Sequence, residues 1–243
     1  MQPSFEGCCY CFAIQLTYDP MISAITQRAT HKVIAPEPWE ATLSVERQKE
    51  LTTQLLEAAS FAPYHYTTSE RYKDAERGLT SDLPFRAYTL DSAACRTLAD
   101  VLEKDEIPAG KVVNMLWAAE VMLTVSWLPD VFGEQPKAEE RMMEPVPFVG
   151  NLRNMEHIAA AGAAVQNVLL QATELGHLNY WSSGGMLRQK VVRDKLGIPM
   201  NEVMLGFLFV FPADSEARGA VVKPGKNREK GKAVETWSQA VRL

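Results

Sequence analysis

Residues 154–176, NMEHIAAAGAAVQNVLLQATELG, constrain the fold more than any other stretch. As a helix this segment is apolar on most of its circumference, and such a helix is buried rather than merely amphipathic. The small residues from Ala159 to Ala164 let a second backbone come close. In a chain of 243 residues the segment belongs in a core or at a subunit interface. Two apolar runs accompany it. EVMLTVSWL at 120–128 is almost continuous, the mark of a central strand covered on both faces, and EVMLGFLFVF at 202–211 is the last strong strand.

The remaining elements follow from caps and periodicity. Asp19 and Pro20 open a short helix over 19–29. Residues 32–42 hold two prolines and are extended. Ser44 caps a helix to about residue 60, with Leu51, Leu55 and Ala59 at helical spacing and Ala62-Pro63 as its stop. Residues 64–83 read as loop, and FRAYTL at 85–90 as strand. Asp91 caps a helix to about 103, with Leu98, Val101 and Leu102 as its buried stripe, and another helix covers about 109–118. Helices alternating with a few central strands predict an α+β fold in layers around one sheet. The chain divides into a lead-in at 1–18 and a single domain over 19–243. Within that domain 129–150 reads as a lid loop over a pocket or as a surface loop, and 212–243 as a C-terminal extension.

Bulk composition excludes several classes. A net charge of −5 argues against a nucleic-acid coat. Three of the four cysteines, Cys8, Cys9 and Cys11, crowd the N-terminus without the second pair a zinc site needs, so a reduced tail is the simpler reading and no metal is expected. The first twenty residues lack Lys and Arg, which gives neither a signal nor a transit peptide, and no apolar stretch spans a bilayer. The expectation is a cytoplasmic protein with no membrane partner.

Dinucleotide, P-loop, nucleophile-elbow and zinc-protease motifs are all missing. An enzyme of this sequence would therefore use a cofactor's reactivity. Four stretches could hold one. Arg28-Ala29-Thr30 and Lys32 place cations around a hydroxyl, and Lys223, Lys226, Arg228, Lys230 and Lys232 form a second basic run. Two such segments meeting in space suit a phosphate dianion; singly, each is also a solvated surface. NYWSSGG at 179–185 offers the flat Trp181, the hydroxyls of Ser182 and Ser183, and the close backbone approach of Gly184. Taken alone, it reads more simply as a strand ending in a glycine turn with the tryptophan in the core. In APYHY at 62–66, His65 is either a donor to a ring carbonyl or a structural histidine.

Together these stretches resemble the FMN-dependent nitroreductase family, in its His-bearing branch. The family's Arg-x-Ser-x-Arg/Lys is matched by Arg28-Ala29-Thr30-His31-Lys32, and its helix-ending Ala-Pro with a following His by Ala62-Pro63-Tyr64-His65. Pro84-Phe85 leads into a strand, Gln166-Asn167 and Leu175-Gly176 lie in and after the Ala-rich helix, and LGIP at 196–199 precedes the last strand. The resemblance spans about residues 20–237. The family's Asn-x-Gln-Pro-Trp segment is absent; residues 66–83 carry an insertion in its place, and residues 1–18 match nothing.

The resemblance implies a mostly antiparallel central sheet flanked by helices and an intertwined homodimer with FMN at the subunit seam. It implies NADH or NADPH as electron donor and a nitroaromatic, quinone or similar acceptor, reduced by a ping-pong hydride mechanism. Arg28 and Thr30, with Lys226 and Arg228, would grip the FMN phosphate. Lys32 would approach the ribityl chain or pyrimidine edge, His65 and Tyr66 would line the flavin from a second subunit, and Ser182 to Gly184 would lie near N5. Met142, Met143 and Phe148 would wall the pocket. Open alternatives are a flavin-binding protein without turnover, a cofactor-less structural dimer, and oxidative removal of hydrogen from a peptide or ring.

Overall fold

The computed structural model describes residues 20–132, 148–227, 230 and 233–241. The lead-in at 1–18, Asp19, Met142, Met143, Arg228 and Lys232 lie outside the described residues.

The two apolar runs become the centre of a four-stranded sheet of order β2-β3-β5-β4, every pairing antiparallel. β3 (Val121–Trp127) is buried along its whole length and β5 (Val203–Phe211) nearly so. Edge strands are β2 (Phe85–Asp91) and β4 (Leu178–Ser182). One face of the sheet carries Leu123, Val125, Leu208 and Val210, packed against α2 (Val45–Ser60) and α5 (Leu152–Glu174). The other carries Met122, Phe207, Phe209 and Phe211, packed against α3 (Ser92–Lys104) and α4 (Lys111–Ala118). The predicted α+β layering is what forms, because period-2 alternation sends successive residues of β3 and β5 to opposite cores.

The expected caps are in place. Ser44 Oγ accepts from the Arg47 amide at 3.4 Å, and the Asp91 carboxylate accepts from the Ala94 amide at 2.8 Å. α5 starts two residues before the predicted position, where Asn151 accepts from the Asn154 amide at 2.8 Å. Asn154, fully buried, accepts from the Asp130 amide at 2.7 Å and donates to Val149 O at 2.7 Å, so one side chain ties Asp130 and Val149 to the start of α5.

Three regions depart from expectation. The C-terminal extension begins with β6 (Val221–Pro224), which pairs with β1 (His31–Ile34) in a separate two-stranded antiparallel ribbon, so the strands form two sheets rather than one. A parallel bridge from Thr30 to Asn179 ties that ribbon to β4. A short helix, α6 (Lys190–Leu196), ends at Gly197 in the left-handed conformation. The insertion at 66–83 is loop, as expected, apart from a short turn at Glu70–Tyr72, but Tyr72 in it is buried, and its hydroxyl lies 3.0 Å from both Pro129 O and Asn201 O.

α5 is buried on one face only. Ala160, Ala161, Ala164, Val165 and Val168 sit in the core, whereas Met155 is 65% exposed and a Cβ added at Gly162 would meet nothing within 4 Å. Half of the small-residue stretch is thus spent in the core, and the face that carries Met155, Ala159 and Gly162 is open within one chain. Among the described residues no helix is long and apolar enough to cross a membrane.

Candidate functional site

The two basic segments meet. α1 (Pro20–Gln27) ends just before Arg28, whose amide donates to Ala24 O at 2.8 Å, and the chain then enters β1. Because β6 pairs with β1 in antiparallel register, the residues after β6 fold back over those before β1. The result is a cavity of about 460 Å³ lined by Arg28, Ala29, Thr30, Tyr180, Pro224, Gly225, Lys226 and Asn227. The Gly225 amide donates to Thr30 O at 2.9 Å, and a Cβ on Gly225 would come within 2.9 Å of the Thr30 Cβ. Only glycine lets the two segments approach this closely.

Lys32 stands beside the cavity, its Nζ 5.6 Å from the centre of the Tyr180 ring. Burial, then repulsion from Lys111 and Lys223, lowers its proton affinity below the ordinary lysine value. A guanidinium, an ammonium, a hydroxyl and an Asn amide around one hollow form a donor set with the chemistry of a phosphate site.

β4 carries the site away from the cavity. Tyr180 and Ser182 share one face of the strand, and the backbone reaches Gly184 two residues on. The Gly184 amide donates to Ser182 Oγ at 3.2 Å. Gly184 has φ +95°, and a Cβ there would collide with the Phe207 ring at 2.5 Å. A β-bulge at Gly206, φ +137°, admits this turn: a Cβ at Gly206 would strike Ser182 O at 2.3 Å. Ser183 is exposed.

Other predicted residues lie elsewhere. Trp181 is on the opposite face of β4 from Tyr180, 44% exposed, with its indole N–H donating to Leu205 O at 3.2 Å. It neither lines the cavity nor sits in the core. His65 and Tyr66 are beside the first turns of α5, where His65 Nδ1 is 3.4 Å from Glu156 and Arg153 stacks over the Tyr66 ring at 4.9 Å. Within one chain they take no part in the cavity. Phe148 packs edge-on against Trp127 at 5.0 Å. Among the described residues no group of three potential metal ligands is gathered. Tyr180, Pro224, Gly225 and Asn227 were not among the predicted site residues; only the Thr30–Asn179 bridge and the β1–β6 register bring them in.

Neither a family model nor a curated protein matches the sequence. Solved structures do match the fold. A nitroreductase-like family protein from Bacillus cereus superposes with a TM-score of 0.57 at 19% identity, over 93% of this chain and 98% of that one. This chain has the nitroreductase-like fold. A nitroreductase with bound FMN from Bacteroides fragilis gives 0.50 at 15% identity, over 92% of this chain and 100% of that one. A nitroreductase from Lactococcus lactis in complex with nicotinic acid gives 0.50 at 15%, over 79% and 89%. The nitroreductase-like fold thus covers nearly all of this chain.

Proposed function

We propose that this chain binds FMN and uses NADH or NADPH to reduce a small acceptor such as a nitroaromatic or a quinone, in a ping-pong sequence. The observation that carries the reading is the cavity in which Arg28, Thr30 and Lys226, almost two hundred residues apart, face one hollow beside β4. FMN fits this donor set, and the nitroreductase-like fold supports it, since one structure of that fold is an FMN complex. When bound, FMN supplies hydride acceptance at N5 and hydride return to the acceptor.

The protein's own work is binding and placement. Arg28 and Lys226 hold the phosphate by charge-assisted bonds, about twice as strong as neutral ones, and Thr30 adds a hydroxyl donor. Arg228 joins them in this reading. Lys32 holds positive charge over Tyr180, at the side where an electron-rich ring gains by it. Ser182, Ser183 and Gly184 present backbone at the end of β4, where glycine at 184 lets the turn lie against the Phe207 ring. The open face of α5 and the distance of His65 and Tyr66 from the cavity support a homodimer in which a second chain completes the site.

The test is the spectrum of the purified protein. The expected result is a flavin band that bleaches anaerobically with NADH or NADPH and returns on adding a nitroaromatic or a quinone. A colourless protein that takes up no FMN on refolding sinks the proposal; a yellow protein that neither nicotinamide bleaches reduces it to flavin binding.

A further inference from the structure

Next to the cavity, three lysines are placed against electrostatic preference. The β1–β6 register sets Lys32 directly opposite Lys223. Like charges facing each other across an antiparallel pair repel and destabilise it. Lys111 is the first residue of α4, where the helix dipole disfavours a cation, and the segment before α4 offers no side-chain cap. The α4 backbone is tied to the end of β1, since the Ala35 amide donates to Asn114 O at 3.3 Å and Asn114 Nδ2 donates back to Ala35 O at 2.9 Å. The three cations are therefore brought to one corner, close enough that Lys111 and Lys223 both oppose the charge on Lys32. Among the described residues none of the three has a carboxylate within 4 Å. In a chain with net charge −5 this shortage of acidic neighbours is local.

We infer that Lys32, Lys111 and Lys223 form a second anion subsite beside the phosphate cavity, and that it takes the oxyanion of the small molecule exchanging electrons with the flavin. The inference deepens the functional reading above and rests on it. Arg28, Thr30 and Lys226 already supply the donors that one phosphate uses. Lys111 and Lys223 are exposed and outside that cavity's lining, so their charge is available to a group arriving from solvent. The shared chemistry is a phosphate or carboxylate; its source is either the nicotinamide dinucleotide or an acidic acceptor.

The experiment compares the full chain with its Lys111→Ala/Lys223→Ala variant, both first read for flavin by absorbance. The variant is expected to keep its FMN. KM is then measured for NADPH and NADH as donors, and for p-nitrobenzoate and neutral p-nitrobenzamide as acceptors. A rise of about tenfold for an anionic ligand, absent for p-nitrobenzamide and fading at high salt, is the expected result. A rise confined to the dinucleotides assigns the subsite to the donor; one confined to p-nitrobenzoate assigns it to the acceptor. Unchanged KM for every anionic ligand, or an equal rise for the neutral one, overturns the inference. A second measurement needs no flavin. Inorganic pyrophosphate is titrated calorimetrically into Arg28→Ala protein with and without the two lysine replacements. Weaker binding on losing the lysines upholds the subsite even if the protein proves colourless, which would defeat only the flavin reading. Equal binding defeats the subsite even in a yellow protein.

Discussion

Two charged regions of this protein are built on opposite terms. Around Glu202, whose side chain is fully buried, every carboxylate oxygen is matched: Arg86 Nη1 donates at 2.7 Å and the Tyr88 hydroxyl at 2.9 Å to one oxygen, and Ser126 Oγ at 2.5 Å to the other. Burial, then the Glu202 charge, pushes the Tyr88 hydroxyl up to about 12, so it remains a donor at any physiological pH. At the β1–β6 ribbon the cations Lys32, Lys111 and Lys223 have no carboxylate beside them among the described residues. Charge consumed by the fold is closed on itself. The lysine charge is left open, at a cost to the fold.

The largest expected effect breaks the closed region. Glu202→Ala leaves the Arg86 guanidinium partly buried without its anion and should lower unfolding free energy by about 3–5 kcal/mol, measured by denaturant titration. A loss below about 1 kcal/mol would mean that water reaches Arg86 and the region is not closed. Next comes the cavity. Arg28→Ala should weaken FMN binding by roughly tenfold to a hundredfold, read by flavin titration of the refolded protein. Full flavin occupancy after gel filtration would remove Arg28 from the phosphate site.

A smaller effect has the opposite sign. Folded Lys32 holds its proton less tightly than unfolded Lys32, whose value is near 10.5. Between the lowered value and 10.5 the unfolded chain therefore carries more protons, and stability climbs with pH across that window. Lys223→Ala removes one of the repelling charges. It should flatten that climb and add about 0.2–1 kcal/mol at neutral pH, read from melting curves between pH 7 and 10.5. Destabilisation by this exposed change would show that the lysine pair is not in conflict. The smallest effect on the folded chain is expected at Gly162, where a side chain meets open space. Gly162→Leu should leave chain stability within about 0.5 kcal/mol yet weaken self-association in sedimentation, because the open face of α5 loses its flat approach. An unchanged association constant would place the interface elsewhere.

Much of the architecture was legible because its signals are long or capped. Ser44, Asp91 and the small-residue helix each announce themselves within one segment. What was not legible is short or paired at a distance. α6 has seven residues and β6 four, too few for a period to emerge. Tyr72 sits in a polar stretch, and its burial depends on the carbonyls of Pro129 and Asn201. Arg28, Thr30 and Lys226 could be named from two clusters of basic residues, and they line one cavity. Strand alternation already put Tyr180 and Trp181 on opposite faces, yet residue type alone favoured the tryptophan. Lys111 was invisible as a neighbour of Lys32, because nothing local encodes that α4 abuts β1; Lys223 belongs to the basic run expected to meet the segment of Lys32, but the register that sets 32 opposite 223 was not legible.

The single amide of Asn154 that joins Asp130 to Val149 has a practical corollary for engineering this protein. Because this one side chain fastens both Asp130 and Val149 to α5, its loss removes two hydrogen bonds at once, each with a net worth of about 1 kcal/mol. Any redesign of this scaffold should therefore leave position 154 alone.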